Sequence, residues 1–72
     1  MKTLTSAQIN KLASRKNVRR IAVENFLSSL GPEFDSFKAI QNLYMDAVSY
    51  KWNAATQKAI RDGIDLLTYS KS

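Results

Sequence analysis

The chain has no cysteine and no histidine among its 72 residues. Without cysteine there is no disulfide framework and no thiolate nucleophile, which fits a reducing, cytoplasmic setting. Without histidine the commonest general base is missing, and the usual zinc ligands are absent as well. The two glycines do not form a phosphate-binding loop. We therefore expect a protein that is not an enzyme and takes no metal, no cofactor and no small-molecule substrate.

Long apolar runs are also missing. No stretch approaches the roughly 20 apolar residues that span a bilayer, and the sequence predicts no signal peptide. Binding of the second helix to a membrane surface is disfavoured, because its cations gather at one end and Glu24 interrupts them. Hydrophobic residues make up 44% of the chain, enough for a packed core. The sequence predicts one helical domain, residues 1–72, with no membrane partner.

The apolar spacing is helical throughout and predicts an all-α fold, a compact bundle of four short helices. Thr5 and Gln8 have the spacing of a capping box, so a first helix is expected to follow them and to run to about Arg15. A second helix is expected over residues 18–30, ended by Gly31-Pro32.

Two further helices are predicted in the second half, with Asp35 and Asn53 as their N-caps. The apolar positions of the third are Phe37, Ile40, Leu43, Tyr44, Ala47 and Val48. Those of the fourth are Ala55, Ala59, Ile60, Ile64 and Leu67. Gly63 inside the fourth costs about 1 kcal/mol against alanine, which predicts close approach of another helix. We expect Trp52 to pack in the core, with base stacking by Trp52 or Tyr50 as the alternative.

The excess positive charge lies in the first third of the chain. Residues 1–23 hold six cations and no acid, residues 24–72 hold five cations and six acids, and the net charge is +5. This asymmetry favours a polyanionic partner, nucleic acid first and an acidic protein or membrane surface second. A plain solvated face is the other interpretation.

The segment LASRKNVRRIAVENFL, residues 12–27, places four of these cations around a break between two apolar segments. Over residues 8–28 the chain resembles the helix-turn-helix motif of DNA-binding proteins. The matching positions are Leu12, Ala13, Asn17, Val18, Val23 and Phe26. In the resemblance, Ala13 is the small residue where the helices cross, and Asn17 takes a turn position that needs a left-handed backbone. The N-terminal hairpin of the bundle is therefore expected to be helix-turn-helix-like.

The resemblance implies that the second helix meets nucleic acid, DNA in preference to RNA. Arginine and asparagine make paired hydrogen bonds to guanine and adenine, while cations in the turn contact phosphates. The predicted nucleic-acid-binding residues are Lys11, Arg15, Lys16, Arg19, Arg20, Asn25 and Ser28. A small regulator of phage or plasmid type, or a DNA-associated accessory protein, fits the size of the chain.

Other features favour a different class of function. Arg20 and Glu24 are spaced i,i+4 and can neutralise each other. The second helix also has more apolar residues than one stripe requires: Val18, Ile21, Ala22, Val23, Phe26, Leu27 and Leu30. The alternative is therefore a non-enzymatic protein-interaction module, either a homodimer or an adaptor or inhibitor of a larger protein.

The charges of the fourth helix are expected to be self-paired. Lys58 and Asp62, and likewise Arg61 and Asp65, are spaced i,i+4. Asp62 and Asp65 share a face, but two carboxylates without further oxygen ligands make a poor cation site.

Overall fold

The structure, a computed structural model, describes residues 4–31 and 33–69 of the chain. Four helices account for most of these residues: α1 (Ser6–Ala13), α2 (Arg20–Ser28), α3 (Ser36–Tyr50) and α4 (Ala54–Tyr69). No strand occurs in either described range, so the predicted all-α, four-helix fold is confirmed. Within the same residues, no helix combines the length and the apolar character that a transmembrane span requires.

Side-chain caps start three of the helices as predicted. At α1 the Thr5 hydroxyl accepts from the Gln8 backbone N–H, and the Gln8 side chain accepts from the Thr5 N–H, a complete capping box. The Asp35 carboxylate accepts from two backbone N–H groups at the start of α3. The Asn53 side chain accepts from the backbone of Thr56 at 2.9 Å. These bonds satisfy donors that the first helical turn leaves without partners.

The limits of α2 differ from the prediction at both ends. The helix begins at Arg20 and ends at Ser28, short of the expected residues 18–30. At its end the Ser29 hydroxyl donates to the Phe26 carbonyl at 2.6 Å, so a serine bonds locally to the last turn. Gly31 has no positive φ and does not close the helix, and Pro32 lies outside the described residues.

The connection between α1 and α2, here called the first connector, covers residues 14–19. It is therefore longer than the three-to-four-residue turn expected of a helix-turn-helix. Asn17 adopts the left-handed backbone predicted for it, with φ 65°. Val18 follows outside the helices, and Arg19 is extended, with its backbone N–H bonded to Thr56 of α4.

Helix α4 is the centre of the bundle, because it packs against α1, α2 and α3. One core cluster draws buried residues from all four helices. Among its members, Val23, Ala59, Ile60 and Ile64 are fully buried. The apolar face predicted for α4 is thus the face that the other helices cover.

Gly63 lies where α4 meets the first hairpin. A Cβ atom added there would lie 2.7 and 2.8 Å from the two terminal methyls of Leu27 and 3.2 Å from one methyl of Leu12. Such distances are below ordinary van der Waals contact, so the site has no room for a side chain. The close helix approach that the glycine predicted is confirmed.

Helix α3 buries only part of the apolar stripe that its spacing predicted. Ala39, Leu43 and Ala47 face the core, whereas Phe37, Tyr44 and Val48 are exposed. Two apolar stripes overlap on this helix, and α4 covers the one that contains two alanines. Small side chains allow the closer approach of two helix backbones. Three of the six apolar positions named for this helix, Phe37, Tyr44 and Val48, therefore lie outside the core.

The connection from α3 to α4, here called the second connector, is Lys51, Trp52 and Asn53. It repeats the end of the first connector at a distance of 34 residues. In each, a left-handed residue (Asn17 or Lys51) is followed by a half-buried apolar residue and then by the N-cap of the next helix. The two connectors thus share a left-handed backbone at the residue before Val18 and Trp52.

Candidate functional site

The two connectors lie side by side, and two hydrogen bonds join them to one another and to α4. The Arg19 backbone N–H donates to the Thr56 hydroxyl at 2.9 Å, and the Asn53 side chain donates to the Asn17 carbonyl at 2.8 Å. Thr56 is 0% exposed, so the first bond is shielded from solvent. The backbone that carries Lys16 and Arg19 is therefore fixed to the centre of the bundle.

Two of the predicted binding residues are engaged with carboxylates of the protein itself. Arg15 pairs with Asp62 of α4 at 2.6 Å. Arg20 pairs with Glu24 at 2.7 Å and also donates to the Asn10 side chain at 2.7 Å. The predicted Arg20–Glu24 pair is confirmed. Both pairs remain partly exposed, and surface pairs contribute little to stability, but each cancels one positive charge locally.

The pairs predicted within α4 are not formed. Asp62 bonds to Arg15 of the first connector, not to Lys58 one turn earlier. Arg61 donates to the Tyr44 hydroxyl of α3 at 2.9 Å, so it joins α4 to α3. The expectation that both i,i+4 pairs neutralise α4 is wrong, because tertiary neighbours offer these groups other partners.

Three predicted cations keep their charge unopposed. Lys11, Lys16 and Arg19 are exposed, and none of them forms an ion pair within residues 4–31 and 33–69. Lys11 lies in the last turn of α1, Lys16 lies in the first connector, and Arg19 is the N-cap of α2. We call these three residues the cationic edge.

The exposed side of α2 also carries the two uncharged residues of the prediction. Asn25 and Ser28 are both exposed, and the Ser28 hydroxyl donates to the Asn25 carbonyl at 3.3 Å. Ile21 lies beside them and is 72% exposed. The polar surface of α2 is thus open to solvent, but it presents one large apolar side chain among the polar ones.

A groove of about 890 Å³ separates α2 from the C-terminal half of α3. Its lining residues are Arg19, Arg20, Ile21, Ala22, Asn25, Phe26, Ser29, Leu30, Asn42, Asp46, Tyr50 and Trp52. The lining is mostly apolar, and it also includes Arg19, Arg20 and the polar side chains of Asn25, Asn42 and Asp46. This size and this mixture are typical of ligand sites.

Two stacked aromatic rings, Tyr50 and Trp52, form one end of the groove; we call them the aromatic step. Their ring centroids are 5.9 Å apart and their planes differ by 19°. Trp52 also meets Phe26 edge to face at 6.2 Å and packs against the core cluster. Core packing of Trp52 is therefore confirmed, although the residue is only half-buried. Tyr50 is 64% exposed.

No known family, no curated protein and no solved structure matches this chain. The functional proposals therefore rest on the cationic edge and the groove alone. The sequence predicted the residues of the cationic edge and gave base stacking by Trp52 or Tyr50 as an alternative, but it did not predict Asn42 or Asp46 as groove residues. Their i,i+4 spacing with Tyr50, which places the three residues on one face of a helix, was the available signal in the sequence.

Proposed function

We propose that this protein binds nucleic acid, DNA in preference to RNA, through phosphate contacts made by the cationic edge. The observation that carries the proposal is the unopposed charge of Lys11, Lys16 and Arg19. Glu24 of the same hairpin and Asp62 of α4 are already paired with other arginines. A polyanion supplies the missing counter-charge.

The hydrogen bonds of the first connector support the proposal. The Arg19 backbone is held by a buried threonine, and Asn17 is held by Asn53. Cations on a fixed backbone lose less conformational freedom when they bind than cations on a mobile loop. The fixed backbone therefore favours phosphate binding by the cationic edge.

The Arg20–Glu24 ion pair on α2 helps to distinguish between a sequence-specific regulator and an accessory protein. Arg20, one of the two arginines expected to read guanine, is held by Glu24 and Asn10. Arg20 can contact a base only if both of these bonds break. Contacts to phosphates position a protein without reading sequence. We therefore favour a DNA-associated accessory protein over a sequence-specific regulator.

The test is the salt dependence of binding to random-sequence duplex DNA, measured by fluorescence anisotropy. Three phosphate contacts predict a slope of log affinity against log salt of about −2.7. Lys16→Gln and Arg19→Gln, made singly, each remove one contact and are expected to reduce that slope by about 0.9.

Lys38→Gln is the matched control. Lys38 is also an exposed lysine, but it lies near the start of α3, among residues 29–42 and away from the connectors. Its loss is expected to leave the slope unchanged. The proposal is wrong if the protein does not bind at low salt, or if all three variants reduce the slope equally.

A second candidate function is protein interaction, and the observation that favours it lies on α3. Phe37, Tyr44, Met45 and Val48 leave an apolar face of this helix open, and exposed apolar patches often mark interaction sites. On α2, by contrast, Ile21 is the one exposed member of the apolar set predicted for that role. Val48→Lys is expected to abolish self-association in a sedimentation experiment if this face forms an interface, and the association should persist at high salt.

A further inference from the structure

We propose that the groove between α2 and α3 binds an unpaired base of a single-stranded nucleic acid, stacked on the exposed face of Tyr50. The inference rests on the proposed nucleic-acid binding and narrows its substrate class to strands with at least one unstacked base. Three features of the groove support it: the aromatic step, the cations near that step and the polar groups of the walls.

Tyr50 has the geometry of a stacking platform. Trp52 lies against one side of its ring, and Tyr50 is 64% exposed, so the other side is open. Trp52 is itself braced by Phe26 and by a bond from the Gln57 side chain to its carbonyl at 2.9 Å. A ring held from behind in this way stacks with little loss of side-chain freedom. Base–aromatic stacking is the common device of single-strand binders.

The charges around the aromatic step suit the phosphates on either side of such a base. Arg19 of the cationic edge lines the same groove, and Lys51 lies between the two aromatic residues in the chain. Lys51 is exposed, and it has a left-handed backbone, φ 54°, which favours glycine over lysine. A lysine at this position therefore adds charge at a conformational cost.

The walls of the groove favour a base over an apolar side chain of a protein partner. Asn25, Asn42 and Asp46 line it, and an apolar occupant would bury these groups without hydrogen bonds. A base offers both donors and acceptors along its edge. The Asp46 carboxylate also repels phosphate, which keeps the backbone at the mouth, and it can accept from the amino group of cytosine.

A duplex cannot supply this contact without losing a base from its stack. Bases inside a helix are stacked on both faces, and their extrusion costs free energy. The groove is bounded by two helices, so a base must leave the strand to enter it. We therefore expect single strands to use the groove, whereas duplexes use the cationic edge alone.

The experiment compares an oligodeoxycytidylate of about 20 nucleotides with an abasic strand of equal length and charge. The full chain is used, and the emission of Trp52, the sole tryptophan, reports on the groove. The intact strand is expected to quench this emission and to bind about tenfold more tightly than the abasic strand. Tyr50→Leu should abolish that difference, whereas Tyr50→Phe should keep it.

The variant Lys51→Gly distinguishes a loss of strand binding from a loss of folding. The variant relieves the left-handed backbone, so its Tm should equal or exceed that of the unmodified chain, while its affinity for the strand falls several-fold. The inference is overturned if intact and abasic strands bind equally while duplex binding keeps its salt slope. Failure of both strands and of the duplex to bind overturns the proposed function itself. If Tyr50→Leu alters self-association and not strand binding, the groove takes a second copy of this chain, and the inference is also wrong.

Discussion

The contact of Gly63 with Leu27 makes a sharp prediction about stability. An alanine at position 63 gains about 1 kcal/mol of helix propensity. Its Cβ would also lie 2.7 and 2.8 Å from the Leu27 methyls. Leu27 is only 1% exposed, so its methyls move only by repacking the core, at a cost of about 1–3 kcal/mol. We expect Gly63→Ala to lower the free energy of unfolding by about 1 kcal/mol.

Removal of the Leu27 terminal methyls should reverse the sign of the effect of Gly63→Ala on the free energy of unfolding. Leu27→Val lacks the two terminal methyls that the new Cβ would meet, and on its own it is expected to cost about 1 kcal/mol. In that background Gly63→Ala should raise the free energy of unfolding by about 0.5–1 kcal/mol, because only the Leu12 methyl at 3.2 Å still opposes the gain in helix propensity. The coupling between the two sites is thus about 1.5–2 kcal/mol, of the size found for residues in contact.

The unmodified chain, the two single variants and the double variant form a double-mutant cycle. Urea denaturation, followed by Trp52 emission and by far-ultraviolet circular dichroism, measures the free energy of unfolding of all four. A chain of this length unfolds with about 4–10 kcal/mol, so changes of this size are resolved. They also correspond to Tm shifts of about 4–8 °C per kcal/mol. If Gly63→Ala stabilises both backgrounds equally, the helices do not approach as closely as described, and the explanation for this glycine fails.

Two further predictions concern hydrogen bonds that hold the bundle together. Thr56→Val leaves the Arg19 N–H without its acceptor and should cost about 1–2 kcal/mol in urea unfolding; a loss below about 0.5 kcal/mol would show that water replaces the bond. Asp35→Ala removes the acceptor of two N–H groups at the start of α3 and should cost about 1 kcal/mol, whereas Asp35→Asn should cost little. Equal losses in the two Asp35 variants would contradict the capping role.

The parts of the fold that the sequence predicted are those set by local interactions. The Thr5–Gln8 capping box, the Asp35 and Asn53 caps and the left-handed Asn17 each depend on residues within one turn. Gly63 was informative because its cost in a helix needs a tertiary reason. Features of this kind leave a signature at fixed spacing, which sequence reasoning can detect.

The features that the sequence did not predict depend on tertiary neighbours. Asp62 has Lys58 one turn away along the chain, but the fold brings Arg15 within 2.6 Å. Periodicity could not distinguish the two overlapping stripes of α3, because both recur every three or four residues. The groove lies between α2 and α3, which both pack on α4, and no local pattern in the sequence predicts the separation of two helices. The sequence therefore named Arg19, Arg20, Asn25 and the two aromatic residues, but it did not predict that Asn42 and Asp46 join them in one groove.

Helix α3 packs mainly on α4, and across from α2 it faces the open groove. A ligand that contacts both α2 and α3 would stabilise α3, which packs on fewer neighbouring helices than α1, α2 or α4 does. Ligand binding would therefore raise the Tm. A ligand at about one hundred times its dissociation constant adds roughly 2.7 kcal/mol to the free energy of unfolding. For a chain of 72 residues, that increment would be a large fraction of the whole free energy of unfolding.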